Sequence, residues 1–272
     1  QPTIEPSNGT EISGTAEAGA KVILTDGNGN PIGETTADGS GNWSFTPGTP
    51  LANGTVINAV AQDPAGNTSG PASVTVDAIA PAAPIVNPSN GVVITGTAEV
   101  GVKVILTDGS GNPIGETTAD GSGNWTFTPA TPLANGTVII AVAQDVAGNT
   151  SLQGTTTVDS VAPGQPTIDP SNGAVITGSA EAGAKVILTD GNGNPIGETT
   201  ADGSGNWTFT PGAPLANGTV INAVAQDAAG NTSTPQVSTT VDAVAPGQPT
   251  IEPSNGTEIS GTAEAGAKVI LT

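Results

Sequence analysis

Along the chain, short runs of apolar residues alternate with polar ones, and Gly and Pro are too frequent for helices. In the first eighty-odd residues Trp43 and Phe45 share one face of a strand-like run, as do Ile57, Ala59 and Ala61, and Val74 with Val76. The pattern predicts seven strands, near residues 2–5 and over 12–17, 21–25, 31–36, 42–46, 55–62 and 73–77. Asn8-Gly9, Asp26-Gly27, Asp38-Gly39 and Asn53-Gly54 punctuate them as turns. Short alternating strands with regular turns predict an all-β, two-sheet sandwich, with Trp43 in its core. A core of about 80 residues with one Trp and one Phe is small, and its stability is marginal without help.

The same pattern returns along the chain. Trp43, Trp125 and Trp207 are spaced 82 apart, as are Lys21, Lys103 and Lys185, and Asp63, Asp145 and Asp227. The third repeat ends one residue late, because Ser233-Thr234-Pro235-Gln236 carries an insertion before the last strand. Residues 248–272 then copy residues 1–25 without a change. The chain therefore divides into repeats at 1–82, 83–164 and 165–247, with 248–272 opening a fourth. That opening contains the first three predicted strands but no Trp, and alone it cannot bury a core. It is expected to dock on an identical chain, replacing that chain's residues 1–25 by strand exchange.

The repeats meet at Val76-Asp77-Ala78-Ile79-Ala80-Pro81, which returns at 158–163 and 241–246. An Asp at a strand end followed by Pro81 and Pro84 makes a short, stiff connector carrying one carboxylate. With strands running alternately up and down, the loops after the second, fourth and sixth gather at the leading end of each repeat. Glu17, Asp38 and Asp63 lie in those loops, while Asp77 closes the seventh strand and is carried to the next leading end. The first junction should then collect Asp77, Glu99, Asp120 and Asp145, and the second Asp159, Glu181, Asp202 and Asp227. Asp242 and Glu264 take the same places at the third, and Asp26 and Asp108 could join from the trailing end below.

Four carboxylates so placed repel by roughly 3 kcal/mol per pair at about 5 Å in an effective dielectric near 20. A hard divalent cation removes that cost, and calcium (Ca2+) tolerates the six to eight irregular oxygens that loops from two domains supply. Ordinary turn chemistry and solubility are the alternative for Glu17, Asp38 and Asp63, because Asp favours turns. Asp26-Gly27-Asn28-Gly29-Asn30 reads as a hairpin turn, since it lacks the following bidentate Glu of a calcium loop and Ser110 replaces Asn28 in the second repeat. Lys21 and Glu34 are expected to pair across consecutive strands.

Composition removes other functions. The chain has no Cys, His, Met or Tyr, and Lys21, Lys103, Lys185 and Lys268 are its cations, so it lacks the usual parts of an enzyme. A formal charge of -20 argues against partners among nucleic acids or anionic lipids. No apolar run approaches the roughly 18 residues that a membrane-spanning helix needs. No signal peptide opens the chain, which is expected to be an internal piece of something larger. Without disulfides, an exported protein of this kind would need another staple.

Gly14-Thr15-Ala16-Glu17-Ala18-Gly19-Ala20, the run from Asp38 to Phe45, Leu51-Ala52-Asn53-Gly54-Thr55 and Asp63-Pro64-Ala65-Gly66-Asn67-Thr68-Ser69 carry a resemblance that covers the whole chain. It resembles the bacterial immunoglobulin-like repeats of giant secreted adhesins, among them the biofilm-associated protein of Gram-negative bacteria. The resemblance implies tandem seven-stranded immunoglobulin-like β-sandwiches in a linear array. It implies an extracellular stalk on the bacterial cell surface, exported by a type I route, that binds calcium at its junctions and supports adhesion and biofilm formation. By position, the implied ligands are Asp77, Asp159 and Asp242 in the linkers, with Glu17, Glu99 and Glu181 and with Asp63, Asp145 and Asp227. Such linkers often carry Thr after the Asp, where this chain has Ala78 or Ser160. That departure touches a hydroxyl ligand and leaves the carboxylates in place. The alternative is a direct adhesive module, homophilic or glycan-binding, although a glycan site lacks Tyr and any exposed aromatic platform here.

Overall fold

A computed structural model describes residues 1–272, and every regular element in it is a β-strand. The first repeat holds β1 (Ile12–Thr15), β2 (Lys21–Asp26), β3 (Pro31–Thr36), β4 (Asn42–Phe45), β5 (Val56–Gln62) and β6 (Ala72–Thr75). One sheet has the order β3-β2-β5-β6, and in the other β1 pairs with β4. All of these pairings are antiparallel.

Alternation decides which faces meet. Strand β2 turns Val22 and Leu24 inward, β5 turns Ile57 and Ala59 inward, and β1 and β4 close over them with Ile12 and Trp43. Ile12, Val22, Leu24, Ile57 and Ala59 are wholly buried. Burying each of the larger side chains stabilises the sandwich by about 1.5–3 kcal/mol. Gly14 shows how closely the layers approach: a Cβ there would lie 2.0 Å from Thr3 O and 2.8 Å from Trp43 Cζ2. Only a residue without a side chain lets the first segment and the indole ring both close on β1.

The expected first strand is present as pairing. Thr3 N donates to Thr15 O at 2.8 Å and Glu5 N to Ser13 O at 2.9 Å. In the second repeat the same segment is a strand, β7 (Ile85–Val86), set against β8 (Ile94–Thr97), and β11 (Asn124–Phe127) completes a sheet of order β11-β8-β7. The opposite sheet has the order β10-β9-β12-β13, from β9 (Lys103–Asp108), β10 (Pro113–Thr118), β12 (Val138–Gln144) and β13 (Gly154–Thr157).

The third repeat copies this with β14 (Ile176–Ser179), β15 (Lys185–Asp190), β16 (Pro195–Thr200), β17 (Asn206–Phe209), β18 (Val220–Gln226) and β19 (Val237–Thr240). Its inserted residue is taken up before β19. Each repeat has its own core cluster around its Trp. Residues 1–160 and 161–272 form two compact units, the first with two repeats and the second with one repeat and residues 248–272.

In residues 248–272 two strands form, not the three expected: β20 (Thr250–Ile251) pairs with β21 (Gly261–Thr262). The run from Lys268 repeats the sequence of β2, which is held by β3 on one side and β5 on the other. Residues 268–272 have neither neighbour, and they remain irregular. Their apolar side chains are left in solvent: Ile259 and Leu271 are 57% and 59% exposed, while Ile12 and Leu24, the same positions in the first repeat, are wholly buried.

Candidate functional site at the repeat junction

The leading end of the second repeat is assembled by backbone bonds between its loops. Ala98 N donates to Gly123 O at 2.9 Å and Gly101 N to Ala119 O at 3.1 Å, which joins the loops of Glu99 and Asp120. Lys103 is in register with Gln144, so Asp145, the next residue, lies at the same end. The alternating topology thus places Glu99, Asp120 and Asp145 together at the level of loops.

The linker is tied to the repeats on both sides of it. Asp77 N donates to Ser7 O at 3.0 Å, Ala78 N to Asn53 Oδ1 at 2.9 Å, and Ile79 N to Asp77 Oδ1 at 3.1 Å. From the second repeat, Glu99 Oε1 accepts Ala82 N at 2.7 Å, and Asn149 Nδ2 donates to Asp77 O at 2.7 Å. Pro81 and Pro84 are buried. Asn149 is in turn held by Asp145: its backbone N donates to Oδ1 at 2.9 Å and its Nδ2 to Oδ2 at 2.8 Å.

Asp77, Glu99 and the Asp145 loop therefore meet on the linker, and Asp120 does not join them. Its Oδ1 accepts Ser122 N at 2.8 Å and Asn124 N at 3.0 Å, so the carboxylate caps its own turn. Asp38 and Asp202 do the same in their repeats. Asp26 and Asp108, expected as possible ligands from below, are likewise spent on their hairpins, where each accepts two backbone N–H groups and an Asn side chain. The hairpin reading of residues 26–30 is what the structure shows, and Lys21 pairs with Glu34 at 2.6 Å as expected.

These bonds shift the carboxyl groups. Asn30 and Asn112, through their side chains first, hold Asp26 and Asp108 below the ordinary value of 3.8. Asn67 does the same for Asp63, and Asn194 for Asp190. For Asp38 and Asp202 the largest cause is the backbone N–H of Asn42 and Asn206.

At the other positions, Asp63 and Asp227 hold Asn67 and Asn231 as Asp145 holds Asn149. Glu17 and Glu181 lie in the loops before β2 and β15, where their carbonyls accept Ala20 N and Ala184 N at 3.0 Å. Asp159 is the second-last residue of the first compact unit, with its N donating to Ser89 O at 3.0 Å. Asp242 Oδ1 accepts Val244 N at 3.1 Å, and Glu264 Oε2 accepts Gly247 N at 3.2 Å, repeating the contact of Glu99 with Ala82.

The donor set at the first junction is hard oxygen, which suits calcium. Lys103, the cation that opens β9 at this end, is paired with Glu116 at 2.7 Å. No three acidic side chains stand close enough to hold one ion: the carboxylate of Glu99 accepts Ala82 N, that of Asp77 accepts Ile79 N, and that of Asp145 holds Asn149. Reading the sequence for charge misses two residues that bond the linker, Asn53 and Asn149. A signal for both was present: Asn follows the loop Asp by four positions in every repeat, and an Asn-Gly turn carries Asn53, Asn135 and Asn217. Asn135 and Asn217 accept the N–H of Ser160 and Ala243 as Asn53 accepts that of Ala78.

The profile of the bacterial Ig domain matches residues 2–78, 80–160 and 162–242. No curated protein matches the chain by sequence. Among solved structures, the tetra-tandem repeat in the extending region of a large adhesion protein is 25% identical, with 90% of this chain and 75% of that one covered and a TM-score of 0.27. A BSP domain of a biofilm associated protein is 14% identical, with 90% and 66% covered and a TM-score of 0.28. The FN1–FN3 domains of chicken CNTN1 are 13% identical, with 88% and 97% covered and a TM-score of 0.38. Modules of the matched kind are structural or adhesive and not enzymes. Three tandem matches take in nearly the whole sequence, and the chain belongs to the bacterial Ig-domain family.

Proposed function

We propose that this chain is a calcium-stiffened spacer of a bacterial cell-surface adhesin, an extracellular stalk segment that supports adhesion and biofilm formation. The observation that carries the reading is the linker of residues 77–82, gripped by Glu99 and by the Asp145 loop of the following repeat. Near-identical tandem modules suit a spacer, which needs length and not a unique surface. Asp77, Glu99 and Asp145 are the residues that would have to draw together and exchange their present hydrogen bonds to hold an ion at this junction, with Asp120 reaching it only by giving up its turn bonds. By sequence equivalence the set extends to Asp159, Glu181, Asp202 and Asp227, and to Asp242 and Glu264. Glu17 and Asp63 offer the same pair at the leading end of the first repeat. A bound calcium ion would neutralise carboxylates that otherwise repel. Export by a type I route belongs to the same reading.

Small-angle scattering of the full chain, in chelator and in about 1 mM calcium, tests it. The maximum dimension should rise and its spread narrow with calcium, and Asp77→Ala should reduce the effect. An unchanged profile, with no heat of calcium binding by calorimetry, would refute the ion and leave the linker bonds to set the geometry.

A further inference from the structure

We propose that Asn149 is a metal-independent latch that fixes the second repeat on the linker. Its side-chain amide has two hydrogens and uses both: one goes to Asp145 Oδ2 at 2.8 Å and the other to Asp77 O at 2.7 Å. The bond to Asp145, with the backbone bond from Asn149 N, holds the side chain in place before the linker arrives, so docking costs little additional side-chain entropy. Asp77 is the other half of the device. Its N–H donates to Ser7 O in the first repeat while its carbonyl accepts from Asn149 in the second, so a single residue's backbone joins the two sandwiches.

The first repeat supplies an internal control, because its loop has the same bonds and no repeat before it in this chain. Asn67 donates to Asp63 Oδ1 and Oδ2, both at 2.8 Å, as Asn149 does to Asp145. There Ala65 and Asn67 are exposed, whereas Ala147 is buried and Asn149 half-buried. Apart from Pro64 in place of Val146, what differs is the trailing end of the first repeat, which covers the second loop. Asn8 of that end comes so near that a Cβ on Gly148 would lie 3.9 Å from its Nδ2.

The latch uses the carbonyl of Asp77 and the carboxylate of Asp145 and needs no ion, so it is tested in chelator, where no calcium competes for Asp145. Its test can therefore fail separately from that of the ion. The chain has no Cys, so spin labels can be placed at Ser44→Cys and Thr126→Cys, both exposed and one in each repeat. Distances measured by pulsed electron resonance in chelator should be narrowly distributed in the parent. Asn149→Ala should broaden them, shifting the docked-to-open ratio by roughly five-fold, the worth of one net hydrogen bond. Asn67→Ala, which loses the same turn bond where no junction depends on it, should leave them narrow. A broad distribution in the parent, no change in Asn149→Ala, or equal broadening in Asn67→Ala would each overturn the latch.

Discussion

Asp26 and Asp145 are both aspartates at loop starts with an Asn four positions on, yet one ends in a hairpin and the other at a junction. What they share is a carboxylate satisfied by backbone and Asn donors, and in Asp26 those bonds favour the charged form. Asp26, Asp38, Asp63, Asp108, Asp190 and Asp202 are all held below 3.8 by such bonds. A folded-state pKa below the unfolded one means stability that is fully present above the unfolded value and is lost as pH falls through the folded one. Melting temperature should therefore be flat from neutral pH to about 4 and fall below it. The combined variant Asp26→Ala, Asp108→Ala and Asp190→Ala should melt lower at neutral pH and fall less on acidification. A parent whose melting temperature is constant down to about pH 2 would show that these turn bonds contribute nothing.

At the scale of strands, alternation was a sufficient guide wherever one face is buried and the other wet. It located β2, β3, β4 and β5 to within a residue at either end, and it put Trp43 inside. It overran where the backbone changes partner. The last strand was expected through Asp77 and ends at Thr75, because Val76 bonds to Thr55 and Gly54 while Asp77 N turns to Ser7. The junction was legible to the level of loops, since up-and-down strands allow Glu99, Asp120 and Asp145 only one end. Side-chain direction was not legible. Asp120 is followed at two and four positions by N–H groups that its own carboxylate can reach, and a local bond of that kind competes with any distant partner. Asn149 escaped notice because its partner is a main-chain carbonyl, which every residue has and no sequence marks.

For the whole molecule, the distribution of charge matters more than its sum of -20. Lys21, Lys103 and Lys185 open β2, β9 and β15, each the strand with a neighbour on both sides, and each is paired with a Glu on the adjacent edge strand at 2.6–2.7 Å. A protease that cuts after basic residues must draw an extended segment of substrate into its cleft, and a strand laddered on both sides cannot be drawn out without opening the sandwich. Limited trypsin digestion should therefore leave the bonds after Lys21, Lys103 and Lys185 uncut, which intact mass would show. Early cleavage after Lys103 would mean that the second sandwich opens far more readily than its pairing suggests. A chain built almost without basic residues, with nearly all of them at the centre of a sheet, is armoured against one large class of digestive enzymes by composition and register together.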